Sequence, residues 1–310
     1  MEGRRPLRLG FGVACLMGTV GLAATASACD SGTNARGGAT LQVVAAENFW
    51  GSVVSQLGGS HVHVTSVVTD PNADPHDYQS SASDARAIAT ADYVIVNGAG
   101  YDDWASNLLS ANQSASRKVF TVATLLGKSQ GDNPHFWYNP AYVEQVADQI
   151  TKDLTAIDSA DSAYFTQQRS AFETALQPYH ERIAAIKQHF SGQRIASTES
   201  IFVYMANALD LDLITPPEFM KAVAEGNDPP AETVATFQQQ LQTRQVTVLV
   251  YNEQTATDVT NTLKQLASQQ NIPIVGVTET IQPPDSTFQL WMTGELNDLQ
   301  NALNATNLTQ

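Results

Sequence analysis

Short apolar runs alternate with longer amphipathic stretches over most of the chain. The run at 93–97 is almost entirely apolar, as expected of a parallel strand covered on both faces, whereas 61–68 is a half-buried alternating strand. The stretches between such runs have the spacing of amphipathic helices. This pattern predicts open parallel sheets, with strands at 41–46, 61–68, 93–97, 118–123, 194–198, 212–215, 246–251 and 272–277.

A long helical stretch, 160–190, separates the two groups of strands. Its apolar residues form one stripe, and Pro178 predicts that the helix is kinked or divided at that point. The segment 216–230, with a proline pair at each end, is predicted to be a long connection. The pattern therefore predicts two β/α lobes of similar size, at 41–157 and 192–310, joined by a linker helix at 158–191.

Residues 1–28 have the organisation of a bacterial signal peptide. Three arginines precede an apolar stretch, 9–24, which is too short for a convincing membrane span. Ala-Ser-Ala then precedes Cys29, which resembles a lipobox and predicts a lipid anchor on that cysteine; an ordinary signal peptide that ends at Ala28 is the alternative. We therefore expect an extracytoplasmic protein anchored to the bacterial cell membrane, with residues 29–40 as a flexible tether.

The cysteine count and the charge narrow the possible partners. Cys15 lies inside the segment predicted to be removed, so Cys29 would be the one cysteine of the mature chain and no intramolecular disulfide could form. The formal net charge is -15, and removal of residues 1–28 takes away three arginines and one glutamate, which leaves 13 basic and 30 acidic residues and a charge of -17. A mature chain with this much negative charge would be repelled by the phosphate backbone, so nucleic acid is not expected to be a partner.

Four side chains suited to metal binding follow predicted strands. His76 and His135 lie in loops that contain Asp-Pro-His-Asp and Asn-Pro-His-Phe, and Glu199 and Glu279 follow strands of the second half. Ligands of open α/β sheets bind beyond the carboxyl ends of the strands. Two lobes that face each other could therefore close these four side chains around one ion.

Two imidazoles and two carboxylates form a mixed nitrogen and oxygen site whose charge neutralises a divalent cation. Carboxylate-rich sites of this kind suit Mn²⁺ or Fe²⁺, whereas intrinsic affinity favours Zn²⁺ by the Irving–Williams order. The residue types thus predict a divalent transition metal and leave Mn²⁺, Fe²⁺ and Zn²⁺ open.

Five segments carry a resemblance to a known family: 74–78 (DPHDY), 97–104 (NGAGYDDW), 133–137 (NPHFW), 198–204 (TESIFVY) and 278–280 (TET). They resemble the metal-binding lipoproteins of ATP-binding-cassette (ABC) importers for zinc, manganese or iron, the ZnuA/TroA-like solute-binding proteins. The resemblance covers nearly everything from about residue 41 to the end. It implies an α/β fold with two Rossmann-like lobes, each a parallel sheet flanked by helices, joined by a long linker helix.

The resemblance also implies a ligand set with one residue from each of four loops. His76 and His135 match the first two ligands, and Glu199 matches the glutamate that many manganese members have in third place. The fourth ligand is usually aspartate; this chain has Glu279 near that position, and Asp285 is the nearest substitute. Many zinc members have a histidine-rich loop between the two histidine motifs, and its absence here again favours Mn²⁺ or Fe²⁺.

On this interpretation the protein is a monomer that captures an ion between its lobes and delivers it to an ABC permease powered by a cytoplasmic ATPase. It is not an enzyme. The alternatives are a surface adhesin, a metallohydrolase that uses the same four side chains, or a binding protein for an organic ligand. A hydrolytic metal needs an open position, and no His-Glu-x-x-His or Gly-x-Ser-x-Gly motif is present. An organic ligand would require a roomier cleft lined with aromatic residues or arginine.

Overall fold

The computed structural model describes residues 40–72 and 74–307, all within one compact unit. The predicted signal peptide, the lipid anchor on Cys29 and nearly all of the tether lie outside the described residues. In the part that is described, no helix is both long and apolar enough to cross a membrane.

The first sheet has four parallel strands: β1 (Leu41–Glu47), β2 (Val62–Val68), β3 (Tyr93–Val96) and β4 (Lys118–Thr121). Their order in the sheet is β2-β1-β3-β4. Val43 of β1 pairs with Val64 in β2, and Val94 of β3 pairs with Val119 in β4. The four-residue strand β3 is buried along its whole length, as its apolar composition predicts. The helices that follow them are α1 (Asn48–Gly58), α2 (Ala82–Thr90), α3 (Asp103–Ala111), α4 (Val122–Leu125) and α5 (Pro140–Ile157).

The linker is α6 (Ser162–Phe190), a single helix that contains Pro178. Of the two outcomes predicted at Pro178, a kink or a division of the helix, the division is wrong. Proline removes one backbone hydrogen bond and crowds the preceding turn, but buried residues on both sides of it, including Leu176, Tyr179 and Ile186, hold the helix against its neighbours. Tertiary packing therefore outweighs the local preference for a break.

The second sheet has four parallel strands: β5 (Arg194–Ser197), β6 (Asp212–Leu213), β7 (Val248–Asn252) and β8 (Ile274–Val277). Their order, β6-β5-β7-β8, repeats the arrangement of the first sheet. Its helices are α7 (Val203–Ala208), α8 (Pro217–Ala224), α9 (Ala231–Gln242), α10 (Asp258–Gln269) and α11 (Phe288–Asn307). The predicted fold class, two lobes of parallel sheet and helices joined by a long helix, is confirmed.

Two local predictions need correction. The segment 216–230 is not simply a connection, because it contains α8, which begins with Pro217 in the first turn and buries Phe219, Met220 and Val223. Proline is well tolerated at this position because the first turn has no hydrogen bond to lose. The strand predicted at 118–123 ends at Thr121, and the chain then forms α4.

One apolar core extends through both lobes. It contains fully buried aromatic residues of the first lobe, such as Trp50, Trp137 and Tyr138, together with Phe288 and Trp291 of α11. The rings of Tyr138 and Trp291 lie 6.2 Å apart in an edge-on arrangement. Because a shared core resists separation, large rotations of one lobe against the other are disfavoured.

Candidate metal centre

His76 lies in a short 3-10 turn, Pro75–Asp77, in the loop after β2. The turn is stabilised by the Asp74 side chain, which accepts a hydrogen bond of 2.9 Å from the His76 backbone N–H. Pro75 occupies the first helical position, where its fixed φ suits the turn. The His76 ring packs edge-on against Tyr101, with 4.7 Å between ring centroids. This local sequence therefore orients the imidazole towards the space between the lobes.

His135 is fully buried, and its ring is oriented by Asn133. Asn133 Oδ1 lies 2.7 Å from His135 Nδ1 and also accepts a hydrogen bond from the His135 backbone N–H at 3.1 Å. The Asn133 amide donates to the Ser200 carbonyl at 2.7 Å, which determines the orientation of its oxygen. The proton of neutral His135 is therefore held on Nδ1, and Nε2 presents the lone pair that a metal requires.

Glu199 follows β5 and caps the 3-10 turn Ser200–Phe202. Its Oε2 accepts from the backbone N–H of Ile201 at 2.9 Å, and its Oε1 accepts from the Ser200 hydroxyl at 2.9 Å. Oε1 also lies 3.7 Å from His135 Nε2. The carboxylate is fully buried, so its position is well defined.

Glu279 follows β8 and carries the carboxylate nearest to both histidines. Its Oε2 lies 3.3 Å from His76 Nε2 and 3.6 Å from His135 Nε2, and it accepts a 2.7 Å hydrogen bond from the Tyr101 hydroxyl. Gln254 Oε1 accepts from the Glu279 backbone N–H at 2.7 Å and from the next N–H at 2.9 Å. Tyr138 donates to the carbonyl of Thr278 at 2.9 Å, so the first lobe also holds this loop.

The structure brings three of the four predicted side chains into one group. One ligand atom each from His76, His135 and Glu279 lies within 4.8 Å of the other two. Glu199 lies beside this group, next to His135. Asp285 is exposed and belongs to none of the candidate metal-binding groups among the described residues, so the geometry favours Glu279 over Asp285 as the fourth side chain.

The Nε2 atoms of His76 and His135 are buried and make no geometrically acceptable hydrogen bond with any described residue. The side chain of His76 is 18% exposed and that of His135 is fully buried. A buried polar atom without a partner carries a desolvation penalty. Two such nitrogens that face two carboxylates are the arrangement expected of a site for a cation.

Electrostatics in this group favour an added positive charge. Burial alone would lower the pKa of His76, but the carboxylate of Glu279, with smaller contributions from Glu199 and Asp74, raises the pKa to about 9. Burial alone would raise the pKa of Glu279, but the nearby imidazoles of His76 and His135 hold it well below its usual range. Without an ion, the protonated imidazole of His76 therefore supplies a positive charge beside the ionised Glu279.

A cleft of about 410 Å³ leads from the surface to His76. Its walls come from both halves of the chain. They are formed by residues 99–101 and 130–134 of the first half and by Ser200, Lys221, Ala224 and Glu225 of the second, and His76 also lines the cleft. The cleft therefore gives access to His76 from the surface.

Sequence reasoning assigned no role to Tyr101, Asn252 and Gln254, whose side chains contact Glu279 or its backbone. Tyr101 appeared only within a motif. Asn252 and Gln254 lie just after the apolar run 246–251, which predicted a strand. Their position after a predicted strand is the one signal that could have identified them, because the four predicted site residues share it.

The described residues contain two further groups with ligand atoms close together. His61, Asp158 and Asp161 form one, and Glu144, Glu173 and His180 form the other. All six side chains are only partly buried. Arg169 forms ion pairs with Glu144 and Glu173 and already neutralises the second group. Neither group has the burial of the histidine and glutamate group between the lobes.

Comparison with known proteins gives one matching family and several relatives. The family model described as the periplasmic component A of a zinc-uptake complex matches residues 43–302. The manganese-binding lipoprotein MntA of Halalkalibacterium halodurans is 27% identical over 201 residues, which cover 62% of this chain and 65%, just under two thirds, of MntA. The metal ABC transporter substrate-binding lipoprotein FimA of Streptococcus parasanguinis is 23% identical over 265 residues, 80% of this chain and 82% of FimA.

A solved structure has the same fold. The periplasmic zinc-binding protein TroA of Treponema pallidum superposes with a TM-score of 0.73 at 16% identity, over 85% of this chain and 99% of TroA. At this identity the likeness establishes the fold alone.

Proposed function

The chain belongs to the family of periplasmic component A proteins of zinc-uptake complexes, and from this membership we propose that it captures a divalent transition-metal ion between its two lobes and delivers it to an ABC permease for import. Proteins of this family are solute-binding components of importers and not enzymes. The metallohydrolase alternative is therefore wrong.

The observation that carries the proposal is the buried group of His76, His135 and Glu279. Its ligand atoms lie within 4.8 Å of one another, and both imidazole Nε2 atoms lack a hydrogen-bond partner among the described residues. Together with Glu199 these side chains offer two nitrogens and two carboxylates. The two negative charges neutralise a divalent cation, which is what a capture site requires.

We favour Mn²⁺ or Fe²⁺ as the ion, with Zn²⁺ as the alternative. The donor set has two carboxylates and no thiolate, which suits the harder ions. MntA, a relative, is named as manganese-binding, whereas the family description and TroA are named for zinc. The names thus allow either metal, and the preference rests on Glu199 and Glu279.

Delivery would require the ion to leave through the cleft. The apolar core shared by the two lobes opposes a large hinge motion, so opening would involve the loops around the cleft and a modest tilt of the second lobe. We propose lobes at 41–157 and 192–310 with the linker at 158–191, a lipid anchor on Cys29, and a monomer that docks to the permease and its cytoplasmic ATPase.

Metal titration tests the proposal. Protein produced without residues 1–29 and stripped of metal would be titrated calorimetrically with Mn²⁺, Fe²⁺ and Zn²⁺. We expect one tight equivalent, and we expect His76→Ala to abolish tight binding because it removes one of two imidazole ligands. His63→Ala is the matched control, because His63 lies on β2 of the same lobe and is exposed.

The order of affinities for the three ions tests the preference for Mn²⁺ or Fe²⁺. No stoichiometric binding of any ion, or equal binding by wild type and His76→Ala, would contradict the capture site. If Glu279→Ala binds the ion with unchanged affinity, Glu279 is not a ligand, but the proposed capture site itself is not contradicted.

A further inference from the structure

Asn252 is a fully buried side chain that contacts both carboxylates of the candidate site. Its Nδ2 donates to Glu279 Oε1 at 2.8 Å and to Glu199 Oε2 at 3.2 Å. Its Oδ1 accepts from the backbone N–H of Gln254 at 3.1 Å, which determines the orientation of the amide. An asparagine amide has two N–H donors, and here each has one of the two glutamates as its acceptor.

The topology of the second sheet explains this position. Strand β7 lies between β5 and β8, and Asn252 is its last residue. Glu199 and Glu279 each lie two residues beyond the end of the strands on either side. A side chain at the end of the middle strand is therefore flanked by both carboxylates.

The remaining oxygens of the two carboxylates face the histidines. Glu279 Oε2 approaches both imidazole Nε2 atoms, at 3.3 and 3.6 Å, and Glu199 Oε1 approaches His135 Nε2 at 3.7 Å. Each glutamate thus has one oxygen bound to Asn252 and the other directed towards the histidines. The oxygens that face the histidines also accept from hydroxyl groups, Glu279 Oε2 from Tyr101 and Glu199 Oε1 from Ser200, but from no side-chain amide among the described residues. The Glu199 oxygen that Asn252 binds also accepts the N–H of Ile201, so it has two donors.

We infer that Asn252 sets the number of oxygen ligands, because its amide holds back one oxygen of each glutamate and leaves a single oxygen of each for the ion. The inference rests on the proposed capture of a metal ion at this site. It makes Asn252 a positioning residue that acts through Glu199 and Glu279. The protein then supplies two nitrogens and two oxygens, and any further coordination positions are left to water from the cleft.

A fixed number of donors affects the choice of ion. Zn²⁺ is satisfied by four ligands in a tetrahedral arrangement, whereas Mn²⁺ suits octahedral oxygen-rich coordination. If the amide is removed, a glutamate is free to bind through both oxygens, and the higher donor count favours Mn²⁺ relative to Zn²⁺. Asn252 therefore limits how strongly the site prefers Mn²⁺ and leaves water-occupied positions through which the ion can be exchanged.

The test compares wild type with Asn252→Leu, which removes the amide but keeps a side chain of similar size. Asn252→Ser, a smaller change whose hydroxyl can serve only one carboxylate, is the second variant in case leucine prevents folding. The matched control is Asn97→Leu. Asn97 is also fully buried and follows β3, the strand that occupies the place of β7 in the first sheet. Its side-chain partners are Trp50 and the carbonyls of Gly98 and Pro134 rather than the glutamates.

Two measurements are made on each protein: the ratio of the dissociation constants for Zn²⁺ and Mn²⁺, and the crystal structure with Mn²⁺ bound. We expect one oxygen from each glutamate on the ion in wild type, and both oxygens of at least one glutamate in Asn252→Leu. We also expect the Zn²⁺ dissociation constant of the Asn252 variants to rise about 10-fold or more relative to that for Mn²⁺, the scale of effects from residues that orient metal ligands. Asn97→Leu should leave the ratio unchanged.

Wild-type protein with both oxygens of either glutamate on Mn²⁺ would overturn the inference. So would Asn252 variants that keep the wild-type ratio and single-oxygen coordination. These outcomes differ from failure of the proposed function, in which wild type itself binds neither Mn²⁺ nor Zn²⁺ stoichiometrically.

Discussion

We predict that His76 and Glu279 make the binding of a metal ion at the proposed site depend on pH. In the metal-free site the pKa of His76 is raised to about 9, because the Glu279 carboxylate more than offsets the effect of burial. A protonated imidazole cannot bind a metal. The ion must therefore displace a proton from His76 at any pH below about 9.

The size of this effect follows from the pKa. At pH 7 a group with a pKa of about 9 is almost fully protonated, so binding should release about one proton from His76. The competing proton weakens the apparent affinity at pH 7 by about 100-fold, or about 2.7 kcal/mol. Apparent affinity should rise about tenfold per pH unit from pH 6 to pH 8 and level off near pH 9.

Calorimetry in two non-chelating buffers that differ in ionisation enthalpy counts the protons released. The informative perturbation is Glu279→Gln, which removes the carboxylate that raises the pKa of His76. In this variant the pKa should fall towards its usual value of 6.5, and proton release at pH 8 should largely disappear, even though the affinity also falls. His63→Ala should behave as wild type.

Two results would refute this reasoning. One is an apparent affinity that does not change between pH 6 and pH 8 in wild type. The other is an undiminished release of one proton in Glu279→Gln at pH 8, because the His76 proton would then be held by some other group.

Three further predictions concern stability. The folded-state pKa of His76 lies above 6.5, so the protonation of His76 stabilises the folded state fully below pH 6.5, and this stabilisation is lost as the pH rises through about 9. In urea titrations the metal-free protein should therefore lose up to about 3 kcal/mol of unfolding free energy between pH 6 and pH 9.5. His76→Ala should not show this loss. Pro178→Ala should raise the unfolding free energy by about 1–2 kcal/mol, because Pro178 is exposed within α6 and alanine relieves its steric conflict; a loss of stability would show that the proline is accommodated without strain. Asn139→Ala should cost about 1 kcal/mol, because Asn139 caps α5 by accepting from two backbone N–H groups; Asn139→Asp, which keeps the acceptor, should cost much less.

Most of the fold could be predicted from the sequence. The residues of β3 and β7 form apolar runs, and the intervening stretches have helical spacing, so local periodicity was enough to predict parallel strands alternating with helices. His76 and His135 could be located as candidates because proline-histidine loops follow two strands. Glu199 and Glu279 follow strands in the same way, and parallel strands place such residues at one edge of a sheet.

Local predictions failed where tertiary packing opposed the local preference. Pro178 favours a break, but buried neighbours on either side keep α6 continuous. The proline-rich segment 216–230 suggested a connection, but Phe219 and its apolar neighbours form a helix because their side chains can be buried in the second lobe. Neither outcome depends on nearby residues alone.

The sequence by itself determined the alternation of strands and helices and four candidate ligands in segments that follow predicted strands. Only the tertiary structure decided how the side chains combine. In the folded chain Glu279 lies next to His76, whereas Asp285 is exposed. The Tyr101 hydroxyl donates to the Glu279 carboxylate, and the Asn252 amide donates to both glutamates. The physical reason is that hydrogen bonds and charge interactions depend on distances through space, and these partners are far apart in the chain. The periodicity of apolar residues indicates which face of a helix or strand is buried. It does not indicate which distant residue a side chain on that face contacts.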